Sequence, residues 1–231
     1  MARFKVSKSF SWDGRLSAKA RAVCRMFGLT AERLRQGAVV HSCELEIEEG
    51  DVVYITGPSG AGKSVLLCEI AKQIPAAERM NLSDVELPAG AAVIDCIEGD
   101  LIYSLRLLGA VGLSDVFCVL NRPANLSDGQ KWRFRLASAL ASGKRFVIAD
   151  EFCSQLDGIM AAVISANVRR FAKENKITFL LAGCKDDIFL DLQPDVLVVK
   201  DFGGQAEVVY RESRCRLSGD DRQSSHATVR L

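Results

Sequence analysis

The chain has 231 residues, 48% of them hydrophobic and 26% charged, enough for one domain with a sizeable core and too short for two unrelated ones. Thirty basic residues against 29 acidic ones leave a formal net charge of +1, so no global field singles out nucleic acid or an anionic membrane, although a local basic patch stays open. The eight cysteines are dispersed with no C-x-x-C pair, which argues against a zinc cluster and for mostly buried thiols in a reducing, cytoplasmic setting.

The start MARFKVSKSF has no apolar signal region, and no apolar stretch is long enough to cross a bilayer, so any membrane attachment is expected to run through a partner. After this polar start, residues 17–36 read as two helical pieces broken near Gly28, with Met26 and Phe27 at core-like spacing. Val39 to Glu48 alternates as a strand does, and Glu49-Gly50-Asp51 makes a turn. Val52 to Thr56 is a short apolar run, followed by a glycine-rich loop and a helical stretch from Lys63 to Gln73. Apolar runs at residues 91–95, 145–150, 177–182 and 195–200 read as buried parallel strands separated by helices, which predicts an α/β fold with a mainly parallel sheet. Residues 206–211 read as an edge strand, and the polar segment 212–231 as a mobile tail beyond a domain spanning 1–211.

GPSGAGKS, Gly57 to Ser64, matches G-x-x-x-x-G-K-[ST] between a buried strand and a helix, the context that this phosphate-binding loop requires. Glycines let the backbone turn its N–H groups toward a phosphate, and the helix N-terminus favours the anion. The candidate phosphate contacts are therefore Gly57, Pro58, Ser59, Gly60, Ala61, Gly62, Lys63, Ser64 and Val65. Lys63 is placed to reach the β- and γ-phosphates, and the Ser64 hydroxyl to ligate Mg²⁺. Downstream, RFVIADE ends an apolar strand in two carboxylates. Asp150 is the candidate second ligand of Mg²⁺, and Glu151 is the candidate base that orients or deprotonates an attacking water.

LSDGQ, Leu126 to Gln130, resembles the LSGGQ signature of ABC-type ATPases, with Asp128 in place of one glycine. Asp150 follows Gln130 by 20 positions through a segment that reads as helix, turn and strand, and EFCSQLD, Glu151 to Asp157, resembles the glutamate and D-loop of the same family. No N-K-x-D motif of a GTPase appears, since Asn175-Lys176 runs into Ile177-Thr178. The resemblance covers about residues 39–200. It implies an ABC-type P-loop fold with an N-terminal antiparallel β portion and a helical subdomain at about 97–140, binding ATP with Mg²⁺. It also implies that two cassettes pair head to tail, so that Ser127, Gly129 and Gln130 contact the nucleotide of the other copy. A serine hydroxyl, a glycine N–H and a helix start suit an anion; Ser127 or Asp128 equally suits a helix cap.

Three departures from the family stand out. Only 62 residues lie between Lys63 and Leu126, fewer than a transporter cassette usually spends on its helical subdomain. The glutamine expected after the second core strand is missing, with Asp95 and Glu98 in its place. The histidine that usually follows the strand after the D-loop is missing too: the position falls on Cys184 or Lys185, and Lys185 is the candidate that touches the γ-phosphate. His41 and His226 are the chain's two histidines, and sequence order keeps both from that position. Phe27 is a candidate for stacking on adenine; Trp132 reads as packing, and Arg133 and Arg135 as a solvated helix face. The reading is an ATPase working as a homodimer or with a related subunit. Its alternatives are the ATP-binding subunit of a transporter with separate transmembrane chains, or a slow switch acting on DNA or a protein partner.

Overall fold

The computed structural model describes residues 1–10, 15–30, 32–33, 39–202 and 204–211. Strand β1, Ala2–Phe10, pairs antiparallel with β2, Val39–Ile47, and the connection between them carries helix α1, Ala18–Met26. Then come β3 (Val52–Thr56), α2 (Lys63–Lys72) and the short β4 (Arg79–Asn81). A helical portion follows with α3 (Leu101–Ala110), α4 (Val116–Val119) and α5 (Asp128–Ala141). The rest is β5 (Phe146–Ala149), α6 (Gly158–Asn175), β6 (Thr178–Ala182), α7 (Phe189–Leu192), β7 (Val196–Val199) and β8 (Glu207–Tyr210). The six-stranded sheet runs β4-β5-β6-β3-β7-β8, parallel except for its antiparallel edge β8.

The central strands are apolar without alternation because both faces are covered. Val52, Tyr54, Val147, Phe179 and Leu181 face a core shared with α3, α5 and α6, whereas Val53, Ile55, Ile148 and Leu180 face α2 and the β1–β2 pair. That pair is tied to the sheet by Ser42, whose N–H donates to Gly204 O and whose carbonyl accepts from Ala206, and by the Tyr210 hydroxyl, which accepts from the Glu46 N–H.

Three expectations need correction, and one is met in an unexpected segment. Residues 91–95 form no strand: a 3₁₀ turn, Ile94–Cys96, replaces it, and the residues flanking the turn, Val93 and Ile97, are buried in the core. The strand beside β5 is instead β4, three half-buried residues with no apolar run to mark it. The expected N-terminal antiparallel β portion is present as β1 and β2, and the segment read only as a polar start supplies its first strand, with Phe4 and Val6 buried and Arg3 and Lys5 facing out. Met26 and Phe27 stand in solvent, as do the thiols of Cys68 and Cys184. The second helical piece falls mostly, and the segment 212–231 wholly, outside the described residues.

Asp195, just before β7, accepts from the Val52 N–H and is paired with Arg169 at 2.5 Å and Lys173 at 3.1 Å, clamping α6 to the sheet. Burial works to raise its pKa, but the Arg169 hydrogen bond, the Val52 N–H and both cations outweigh it and hold the carboxyl below its usual range. A depressed folded pKa makes this stabilisation complete above the unfolded value of about 3.9 and removes it as pH falls through the folded value. Asp195→Asn leaves two cations beside a neutral amide and is expected to destabilise by about 3 kcal/mol. Melting curves from pH 7 down to pH 2 check this: the difference between wild type and variant should shrink below about pH 4.

Candidate functional site

The loop between β3 and α2 is fixed from behind. A Cβ on Gly57 (φ 138°) would lie 1.9 Å from the Lys200 carbonyl oxygen, and one on Gly62 (φ 97°) would lie 2.3 Å from Cε1 of His41, so neither position admits a side chain. Sequence order had kept His41 from the γ-phosphate position after β6, and there it is absent. The fold nevertheless brings its imidazole to the phosphate loop, where burial first and then the charge of Lys200 lower its pKa. The Lys63 ammonium donates to the carbonyls of Gly57 at 2.7 Å and Pro58 at 2.9 Å. Ala61, within the loop, is buried.

Ser59, Gly60, Gly62, Lys63, Ser64 and Val65 line a cavity of about 520 Å³ together with Asp150, Glu151, Phe152, Ser154, Gly183, Cys184 and Lys185. The fold thus brings together most of the candidate phosphate contacts, both candidate metal ligands and all three candidate catalytic residues, while Gly57, Pro58 and Ala61 shape the loop. The Asp150 carboxylate accepts from the Glu151 N–H at 2.9 Å. Glu151 and Cys153 hold positive φ of 51° and 58°, a strained path that turns the chain sharply off β5. It is anchored by the Phe152 N–H on the Ala182 carbonyl.

Lys185 lines the cavity, but its ammonium donates to the Leu156 carbonyl at 2.6 Å, in the segment that follows Glu151. Its own carbonyl accepts from the Tyr54 hydroxyl, and Thr56 donates to Asp186 beside it. Gly129 presses on the same segment from the other side: a Cβ there would lie 3.3 Å from the Gln155 carbonyl oxygen. The signature helix and the end of β6 therefore hold residues 151–157 between them.

Ser127 is the N-cap of α5 and forms a capping box: its Oγ accepts from the Gln130 N–H, and Gln130 Oε1 accepts from the Ser127 N–H. Gln130 also donates to Cys118 Sγ. Neither Ser127, Gly129 nor Gln130 lines the cavity around Lys63 of its own chain.

A second cavity of about 520 Å³ opens on the other side of Ser64, Asp150, Glu151 and Ser154, which line both. Its remaining wall includes Arg79, Asn81, Asp84, Trp132 and Arg135, none of which sequence reasoning placed at the site. Asn81, the last residue of β4, and Leu82 to Asp84 after it line this wall, whereas Asp95 and Glu98 line neither cavity. Trp132 is buried, edge-on to Phe152 with ring centres 5.7 Å apart. Arg133 and Arg135 are half-buried rather than a solvated face. Arg133 donates to the carbonyls of Gly112 and Gly129, and Arg135 Nε is buried with no hydrogen-bond partner among the described residues. The signal was available: Arg135 lies one helical turn from Trp132 on the same side, so a buried tryptophan draws that arginine inward.

The family described as ABC transporter matches residues 40–95. An aliphatic sulfonates import ATP-binding protein of Rhodococcus jostii is 30% identical over 207 residues, covering 81% of this chain and 84% of that protein. A methionine import ATP-binding protein of Nocardia farcinica is 26% identical, covering 72% of this chain. The chain spans 60% of that protein's length and 61% of an uncharacterized ABC transporter ATP-binding protein of Sinorhizobium fredii. A dimeric ATP-binding cassette solved in a post-hydrolysis state with ADP and phosphate shares the fold, with a TM-score of 0.58 at 19% identity over 73% of this chain and 90% of that one. Among the described residues no helix is long and apolar enough to cross a membrane. The phosphate loop, the capped signature helix and the carboxylate pair at the end of β5 sit in an α/β ABC ATPase fold, and the chain belongs to the ATP-binding proteins of the ABC transporter family.

Proposed function

We propose that this chain binds MgATP at Lys63 and Ser64 and hydrolyses it at a site completed by the signature of a second copy or a related subunit. ABC ATP-binding domains are ATPases as a family. The observation that carries the composite site is the placement of Ser127: it presents the N-cap of α5 outward, with the Asp128 side chain 86% exposed, and neither Ser127 nor Gly129 lines their own chain's phosphate cavity. A helix start that lies off its own chain's phosphate cavity suits a phosphate delivered by another chain.

Ser64 and Asp150 are hard oxygen donors on the boundary of both cavities, the donor type that Mg²⁺ takes together with substrate phosphates. Among the described residues no group of three or more His, Cys, Asp or Glu side chains could hold a metal without such phosphates. Bound there, the ion would neutralise charge on the β- and γ-phosphates. Lys63 moves from the Gly57 and Pro58 carbonyls to the phosphates, and Glu151, one residue past Asp150, receives the proton of the attacking water. Closure over ATP and opening after hydrolysis would supply the output. A dependence of ATPase activity per chain on protein concentration tests this; a verified monomer with full activity would defeat it.

Lys185 is the residue nearest in role to a missing histidine, and it acts here through the Leu156 carbonyl as well as toward the phosphate. We expect slow basal turnover and a further loss on the order of tenfold to a hundredfold in Lys185→Ala, with ATP affinity little changed. Single-turnover hydrolysis by wild type, Cys184→His, Lys185→His and Lys185→Ala checks it. Identical fast rates in all four would remove the position from the mechanism.

A second reading has an observation behind it: two of the similar proteins carry import ATP-binding names. On that reading the chain energises separate transmembrane chains. A slow switch on DNA or a protein partner uses the same site and differs only in what the closing motion moves.

A further inference from the structure

Helix α1 interrupts the turn between β1 and β2 and buries none of its residues. Ala20 and Cys24, one turn apart, are partly covered; the adjacent stripe of Val23, Met26 and Phe27 is bare, and Leu29 follows it, still exposed. At about 100° per residue, Met26, Val23, Phe27, Ala20 and Cys24 share one side with Lys19, which falls between Met26 and Val23, while Arg21 and Arg25 lie opposite. Between Arg15 and Arg33 five cations stand against the single carboxylate of Glu32, in a chain whose net charge is only +1. Lys19, Arg21 and Arg25 are exposed and make no ion pair among the described residues.

We propose that α1 and the turn after it form a docking element for an anionic bilayer surface, with Val23, Met26 and Phe27 entering the headgroup boundary, Lys19 meeting lipid phosphates and carboxylates beside them, and Arg21 and Arg25 on the far side adding attraction across about a Debye length. A large bare methionine beside valine, with cations around them, is the composition of an interfacial helix. Cations alone would equally suit nucleic acid, but Met26 and Val23 offer nothing to a phosphodiester backbone. Charge complementarity therefore selects an anionic partner, and the apolar stripe selects lipid. Such docking would hold the nucleotide site at a membrane without any spanning segment, and it does not depend on how ATP is used.

The test is co-sedimentation of the full chain with vesicles of phosphatidylcholine alone and with about 30 mol% phosphatidylserine added, the anionic lipid of such surfaces. Two variants accompany it, Lys19→Ser/Arg21→Ser/Arg25→Ser and Val23→Ser/Met26→Ser, each checked for unchanged melting temperature. Wild type should bind the anionic vesicles and scarcely bind neutral ones, and each variant should bind at least about tenfold more weakly, with added salt weakening wild type. Equal binding to both lipids, or variants that bind as wild type does, would overturn the proposal. So would a loss confined to the triple-cation variant accompanied by competition from duplex DNA, which would make the element a nucleic-acid contact instead.

Discussion

Replacing Lys63 with alanine is expected to lower affinity for MgATP by about 10- to 100-fold or more, the largest single effect on binding in this chain. A charge-assisted hydrogen bond contributes about 1.5–3 kcal/mol, and Lys63 faces two phosphates. Its ammonium also ties the start of α2 back to the Gly57 and Pro58 carbonyls, so the substitution removes both the phosphate cation and a tether of the loop. Lys63→Arg separates the two effects: the charge remains, but a planar fork replaces a compact ammonium in a buried position. Titration with a fluorescent ATP analogue gives the affinities, with melting curves to show that both variants fold. Unchanged affinity in Lys63→Ala would end the assignment of the phosphate loop.

Glu151→Gln is expected to abolish turnover, with a loss of about a hundredfold to ten-thousandfold, while leaving binding intact. The amide keeps the shape of the side chain and its place beside Ser64 and Asp150 but takes no proton. If ATP closes two chains on each other, removing hydrolysis should leave them closed. An ATP-dependent shift from monomer to dimer in sizing chromatography is the expected signature. A variant that hydrolyses at the wild-type rate would take the base role away from Glu151.

The central strands were legible because burial on both faces leaves a continuous apolar run: β3 falls on its predicted residues, and β5, β6 and β7 within a residue or two. The phosphate loop and the carboxylate pair were legible because their chemistry demands particular residue types at strand ends. What escaped had no such signature. β4 is Arg-Met-Asn and becomes a strand only by pairing with β5, while residues 91–95 carry strand-like composition that tertiary packing folds into a turn. β1 alternates Phe4 and Val6 with polar residues, a signal present but outweighed by the charge around it. Long-range approach is the harder case. Nothing local brings His41 to Gly62, or Arg79 and Arg135 to the far side of Asp150; the sheet order does.

The composite site is tested most directly by mixing two inactive chains, Lys63→Ala and Ser127→Arg. Each variant alone forms dimers in which every site lacks either its phosphate lysine or an unobstructed signature. In a mixed dimer, the Lys63 of the Ser127→Arg chain meets the intact Ser127 of its partner, which restores one site of two. With random pairing, an equal mixture should recover about one quarter of the wild-type ATPase rate per chain. No recovery while mixed dimers are verified to form, or full activity of Ser127→Arg alone, would contradict a site shared between two chains.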